Sequence, residues 1–329
     1  MDLKKKVFKS LIWTASGSLY MKLSQFIFSI ILARLITPEQ FGVVAIALII
    51  NSIAINITDG GFSHSIVQIK KIKSEALFSI NLVNIFISLL ITIFIYFTRF
   101  KIATFFNLEI LSQLLPVISI SCLLSGIGAV PGALLTREMR FREITFIQFI
   151  ASAFSGLIAI LIAKFGSGIW ALTFQPLIFN FIQTIGFWKT LNYKFKIKFD
   201  LEEVKKYSIF GKYILLSSLI DSIFGRINQI VIAKFYNVKE VGLFSRAEST
   251  QIFPTTLISY IINSISFPLF CKVNKDKKLR SNIFLKILEM SYYISIPLAL
   301  YVSLFSKPIV VLLFGIQWKS VSEYLGIIV

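Results

Sequence analysis

Charge is scarce in this chain, and most of it has one sign. Charged residues make up 15% of the sequence, with 16 Asp and Glu against 34 Lys and Arg. A soluble domain carries roughly a quarter charged residues. The single histidine, His64, leaves little scope for a His-based triad or metal centre. Two cysteines, Cys122 inside an apolar stretch and Cys271 near the end of another, give no disulfide framework and no metal site. Long polar segments are missing as well. No loop can house a soluble catalytic domain, and a membrane-embedded glycan polymerase or ligase would want a large outer loop bearing Arg, His or acidic residues. An enzyme is therefore not expected.

What is present is apolar. Hydrophobic residues form 56% of the chain, and Leu, Ile and Phe recur in blocks of about 20, the length that crosses a bilayer core. An all-α polytopic membrane protein is expected, because open strands would leave backbone groups unpaired in hydrocarbon. Nine spans and the start of a tenth are predicted at 10–35, 41–62, 77–98, 110–135, 144–164, 168–188, 209–235, 241–270, 283–306 and from 321. The first is too long for a cleavable signal peptide. The second half of the basic loop 189–208, with Leu201, Val204, Tyr207 and Ile209 among Glu202, Glu203, Lys205 and Lys206, reads as an interfacial helix leading into the seventh span.

The net charge of +18 could suggest nucleic acid, but the basic residues cluster in alternate loops. Lys4, Lys5, Lys6 and Lys9 lie at the N-terminus; Lys70, Lys71 and Lys73, then Arg137, Arg140 and Arg142, then Lys189–Lys206, then Lys272–Arg280 follow in every second loop. The opposite loops hold fewer, such as Arg34, Lys164 and Lys239. By the positive-inside rule the N-terminus is cytoplasmic, and no nucleic-acid partner is expected. The basic face also suits anionic lipid headgroups.

The chain repeats itself. Residues 31–44, ILARLITPEQFGVV, align with 231–244, VIAKFYNVKEVGLF. Ala33 matches Ala233, Arg34 matches Lys234, Glu39 matches Lys239 and Gly42 matches Gly242, each pair 200 residues apart. Leu312-Leu313-Phe314-Gly315 likewise resembles Thr104-Phe105-Phe106-Asn107. Two pseudo-symmetric helical lobes are expected, 1–200 with six spans and 201–329 incomplete, as in transporters built from repeats. The run Tyr324–Val329 stops inside an apolar stretch, so the second lobe reads as truncated.

Polar residues inside the spans are the candidates for function, since a charge at bilayer depth costs roughly 2.5–3.5 kcal/mol and should face protein or water. In the first span Thr14, Ser18, Lys22, Gln25 and Ser29 fall at steps of 4, 4, 3 and 4, one helical face. In the seventh, Ser218, Ser222, Gly225 and Gln229 repeat the stripe, with Arg226 on it, Asn228 at its border and Asp221 nearby. Such residues also serve as helix–helix glue. If the stripes line a cleft, Lys22 and Arg226 would attract an anion, and the Arg fork suits phosphate. Lys22, Gln25, Ser29, Arg226, Asn228 and Gln229 are the candidate substrate contacts. Asp59 and Asp221 are the candidates for coupling or gating, with Asp59 expected at a helix terminus or paired with a loop lysine. His64 is expected in the loop after it. Arg246 and Glu248 read as gate residues or, more plainly, as a solvated rim, and Pro131, Pro254 and Pro297 as kinks.

The motif Ala33-Arg34-Leu35-Ile36-Thr37-Pro38-Glu39-Gln40-Phe41-Gly42, with Asp59-Gly60-Gly61-Phe62, Arg137–Phe141, Ala233–Gly242 and Leu312–Trp318, resembles the Wzx-type (RfbX-like) polysaccharide flippases of the multidrug/oligosaccharidyl-lipid/polysaccharide exporter superfamily. The resemblance implies two six-helix lobes and twelve to fourteen spans, of which this chain would lack the last two or three. It implies transport of an undecaprenyl-diphosphate-linked oligosaccharide across the bacterial inner membrane by alternating access, for O-antigen, capsule or exopolysaccharide synthesis. Glycan polymerase and chain-length machinery are the implied partners. No cofactor is expected beyond a coupling Na+ or H+. The alternatives are a cation-coupled multidrug antiporter of the same superfamily, which would prefer acidic residues in the cleft, and a noncatalytic scaffold of a glycan-export complex.

Overall fold

A computed structural model describes residues 21–69, 72–191, 193, 197–272 and 277–329. Thr14 and Ser18 of the first polar stripe, and the N-terminal lysines, lie outside the described residues. All regular structure among the described residues is helical. The helices are α1 (from residue 21 to 35), α2 (Pro38–Asp59), α3 (Phe62–Gln68), α4 (Ser74–Phe105), α5 (Leu111–Arg137), α6 (Phe141–Lys164), α7 (Gly168–Thr190), α8 (Leu201–Phe235), α9 (Val238–Lys272), α10 (Lys277–Leu304), α11 (Ser306–Phe314) and α12 (Val321–Ile328). A short 3-10 turn, Ile316–Trp318, precedes α12.

Six helical segments are long and apolar enough to cross a membrane: Pro38–Asp59, Ser74–Phe105, Leu111–Arg137, Phe141–Lys164, Gly211–Phe235 and Leu279–Leu304. The protein is a multi-pass membrane protein. The helix α7, expected as the sixth span, has the length but is interrupted by Gln175, Asn180 and Gln183. His64, expected in a loop, is an exposed residue of α3.

Two compact units form, Leu35–Gly242 and residues 21–34 with Leu243–Val329. In the first, α2 starts on a capping box: Thr37 Oγ1 accepts from Gln40 N, Gln40 Oε1 accepts from Thr37 N, both at 3.4 Å, and Pro38 fills the first turn. One end of this unit is closed by an apolar cluster that includes Phe62, Ile66, Leu77, Val130, Val204 and Tyr207.

The segment 201–208 runs without a break into the seventh span. It is the first two turns of the continuous 35-residue α8, capped by Asp200, whose Oδ1 accepts from Glu202 N and Glu203 N at 3.0 and 3.2 Å. Val204 and Tyr207 are buried in the apolar cluster, while Leu201 and the adjoining Ile209 stay exposed. Lys73 Nζ holds Glu203 Oε1 at 2.7 Å, and this partner raises the lysine pKa above its usual 10.5. Burial also pushes the Tyr207 phenol upward.

The internal repeat becomes a physical contact in this unit. The first residues of α9 cross the first turns of α2, and the matched positions meet reciprocally. A Cβ on Gly42 would overlap the Val238 carbonyl oxygen and lie 2.9 Å from its carbon. A Cβ on Gly242 would overlap the Pro38 carbonyl oxygen and lie 3.0 Å from Gly42 N. Lys239 Nζ and Glu39 Oε1, also matched positions, stand 3.8 Å apart.

A second pair of repeat-related contacts forms, one in each unit. Lys234 donates to Phe105 O at 2.8 Å, near the end of α4, where Asn107 turns the chain at φ 54. Arg34 donates to Leu313 O at 3.0 Å and to Leu312 O, near the end of α11, where Gly315 turns it at φ 96. A cation beside the free carbonyls of a helix C-terminus is favourable in both places.

In the unit of residues 21–34 with Leu243–Val329, Trp318 Nε1 and Gln317 Nε2 donate to Ala33 O at 2.6 and 2.7 Å. Phe26 stacks on Phe253 with centroids 4.0 Å apart. Phe314, Trp318, Val321 and Leu325 are fully buried.

Candidate functional site

The polar stripe of α8 lies in the unit Leu35–Gly242. Ser218 and Ser222 donate to carbonyls one turn earlier, Ile214 O and Ser218 O, both at 2.7 Å, so their hydroxyls are satisfied within the helix. Asn56 of α2 donates to Ser222 Oγ, which ties the stripe to α2. Gln229 is 2% exposed, and its Oε1 accepts from Arg226 Nη1 at 3.5 Å. Asp221, Arg226 and Asn228 are exposed, and the space beside Gly225 is open. The stripe therefore has a seated end at Gln229 and Ser222 and a presented cation at Arg226.

The stripe of α1 belongs to the other unit. Lys22 is exposed, Gln25 and Ser29 are half-buried, and Ser29 Oγ accepts from Arg246 Nη1. Arg246 is the residue that the sequence pattern misjudged. It is not on a solvated rim: it is 5% exposed, with its guanidinium 5.1 Å from the Phe314 ring centroid and 5.3 Å from that of Trp318. Aromatic faces attract a desolvated guanidinium, which offsets part of the cost of its burial. A signal for this was available in the repeat, since the position 200 residues earlier is Ile46, itself buried.

Asp59 Oδ1 accepts from Ser63 N at 3.4 Å and from Ser63 Oγ, so this carboxylate covers the N-terminus of α3. Asn51 pairs with Ser121 at 3.0 Å and Thr58 with Cys122 Sγ at 2.9 Å, a buried polar seam between α2 and α5 that composition does not reveal. Among the described residues no group of three or more His, Cys, Asp or Glu side chains could hold a metal ion. In the same unit, α3, α5, α6, α7 and α8 surround a cavity of about 590 Å³, also not anticipated from the sequence.

Residues 31–323 match the model of a family described as polysaccharide biosynthesis protein. The chain belongs to this family. Among curated members of similar sequence, the succinoglycan biosynthesis transport protein ExoT of Rhizobium meliloti (strain 1021) is 25% identical over 91% of this chain and 60% of its own length. The lipopolysaccharide biosynthesis protein WzxC of Escherichia coli (strain K12) is 24% identical over 100% of this chain and 67% of its own. The chain thus spans about three-fifths to two-thirds of the curated relatives that it matches. Its fold matches that of the lipid II flippase MurJ in an inward closed conformation, with TM-score 0.76 and 16% identity over 96% of this chain and 71% of that one. This polysaccharide biosynthesis protein accordingly shares its all-helical, multi-pass fold with that structure.

Proposed function

We propose that this chain is the greater part of a flippase that moves undecaprenyl-diphosphate-linked oligosaccharide units across the bacterial cytoplasmic membrane, with the N-terminus in the cytoplasm. The observation that carries the reading is the family match across residues 31–323, together with a fold shared with a protein titled lipid II flippase. The chemistry is consistent with it. The substrate is an anion on an apolar tail, and Lys22 and Arg226 are exposed cations on the polar stripes of α1 and α8. An arginine fork can bond two oxygens of a diphosphate at once, and a lysine adds a point charge. Movement would follow alternating access, driven by a Na+ or H+ gradient that favours one state over the other. Asp59 and Asp221 are the acidic candidates for that coupling. Glycan polymerase and chain-length machinery are the expected neighbours, and no bond is made or broken by the protein itself.

The test is complementation of a flippase-deficient strain, followed by flipping of lipid-linked glycan in reconstituted vesicles. The full gene product should restore surface glycan, and Lys22→Gln with Arg226→Gln should abolish flipping while leaving membrane levels unchanged. Flipping unaffected by the double substitution would remove the assignment of these two cations to the diphosphate. Export of a cationic drug without any glycan transport would favour the antiporter reading instead.

A further inference from the structure

The 590 Å³ cavity lies inside one unit and takes in none of the residues of the two polar stripes. Its origin is local. The small residues Gly128, Ala129, Gly132 and Ala133 of α5 are part of its lining. The two glycines bring α5 close to α7, since a Cβ at Gly128 would come within 2.8 Å of Thr184 Oγ1 and one at Gly132 within 2.9 Å of Phe187 Cε2, so the cavity opens beside this contact. The volume falls within the roughly 300–1,000 Å³ of small-molecule sites. It suits a short chain of rings better than a single ion.

The chemistry of the lining is distinctive. Gln68 of α3, Gln148 of α6 and Gln183 of α7 converge on it with Ser125 of α5, and none of the three carboxamides is hydrogen-bonded to another described residue. Each carboxamide offers two donors and an acceptor; Gln148 and Gln183 are half-buried without a partner, which positions them for an external one, while Gln68 is exposed at the mouth. No carboxylate, ammonium or guanidinium lines the cavity. The nearby Arg137 is engaged by the carbonyls of Ile66 and Ile69. His64 is the one titratable side chain among the lining residues, so a diphosphate would find no permanent counter-charge here and a metal cation no more than a single imidazole, while an acyl chain would strand the amides. A sugar fits both halves of the surface, with hydroxyls that donate and accept toward the amides and apolar ring faces toward Phe187, Ile144 and Ile214. Of the three polar positions that lower the apolarity of α7, Gln183 lines this cavity.

We propose that this cavity holds the uncharged sugar portion of the lipid-linked glycan, apart from whichever cations hold its diphosphate. The proposal rests on the flippase reading above. To test it, Gln148→Cys and Gln183→Cys are made singly in the full gene product with Cys122→Ser and Cys271→Ser. Gln113→Cys, at the opposite end of α5, serves as control. Each is expressed in two strains, one that accumulates the lipid-linked repeat unit because its polymerase is deleted, and one that lacks the transferase for the first sugar. Maleimide labelling of permeabilised membranes is followed by gel shift.

At positions 148 and 183 labelling should be at least threefold slower where the glycan accumulates, and unchanged at 113. The two cavity positions sit on different helices, so each reports independently if the other variant is poorly produced. Equal rates in the two strains, with glycan export by the parent chain intact, overturn the cavity assignment and leave the flippase reading standing. Slow labelling in both strains relative to lipid-stripped protein would put the lipid carrier there and also overturn it. Failure of the parent chain to support export in a polymerase-positive strain would instead sink the flippase reading.

Discussion

Alanine at Gly42 gives the sharpest check on the reciprocal crossing of α2 and α9. The added Cβ would collide with the carbonyl oxygen of Val238, a backbone atom that cannot rotate away, and stand 2.9 Å from the carbonyl carbon. Relief requires the two helices to separate. Overpacking of this kind costs typically about 1–3 kcal/mol. Gly→Ala within a helix also returns about 0.5–1 kcal/mol of conformational entropy. Gly225→Ala supplies that gain alone, because nothing lies within 4 Å of a Cβ there. The difference between the two variants therefore isolates the overlap, at about 1–3 kcal/mol. Thermal unfolding of detergent-purified protein, followed by loss of the monodisperse species, should show Gly42→Ala melting lower than the parent and Gly225→Ala at or above it. Gly242→Ala should match Gly42→Ala, since it strikes the Pro38 carbonyl in the mirror-related contact. The double variant should lose less than the sum, because both substitutions open the same crossing. Gly42→Ala as stable as Gly225→Ala would refute the close crossing.

Three further outcomes are expected. Tyr207→Phe should leave thermal stability unchanged or raise it, because the buried phenol oxygen has no hydrogen-bond partner and its removal relieves a desolvation cost of about 1–3 kcal/mol; a clear loss would mean that the hydroxyl is satisfied after all. Lys73→Met should shift stability only slightly, and equally at pH 6 and pH 9. The lysine is largely exposed, and its raised pKa means that the pair's contribution is complete below 10.5 and fades only as pH climbs through the higher folded-state value; a difference between pH 6 and 9 would contradict this. Arg246→Lys should melt well below the parent, since a compact ammonium cannot both reach Ser29 and lie against Phe314 and Trp318; parental stability in that variant would show that the aromatic contacts contribute little.

Much of the fold is legible along the chain because the bilayer imposes a one-dimensional rule. A run of apolar residues long enough to cross must be a helix, so the helices fall close to the expected spans. Thr37, Pro38 and Gln40 announce the start of α2, and Gly60 and Gly61, both left-handed, announce its end. The neighbours of amphipathic segments were not legible. The pattern of Leu201–Ser208 does not say which of its apolar residues pack, and the fold buries Val204 and Tyr207 in the cluster with Ile66 and Val130 while leaving Leu201 exposed. The polar stripes of α1 and α8 were visible from spacing, while the partners that seat Ser222 and Ser29 were not, because Asn56 and Arg246 lie 166 and 217 residues away.

By itself the sequence determined that this chain is helical, membrane-spanning and internally repeated, since hydropathy and self-similarity are properties of residues in order. It also marked Arg34 with Lys234, and Gly42 with Gly242, as equivalent positions. Only the tertiary structure decided what the equivalence means: two basic side chains seated on the carbonyls near the ends of α4 and α11, and two glycines pressed against each other's turns. It alone buried Arg246 among aromatic rings and left unfilled the space beside the small residues of α5. Burial, cavities and close backbone approach depend on which surfaces meet across hundreds of residues, and local pattern carries no information about that.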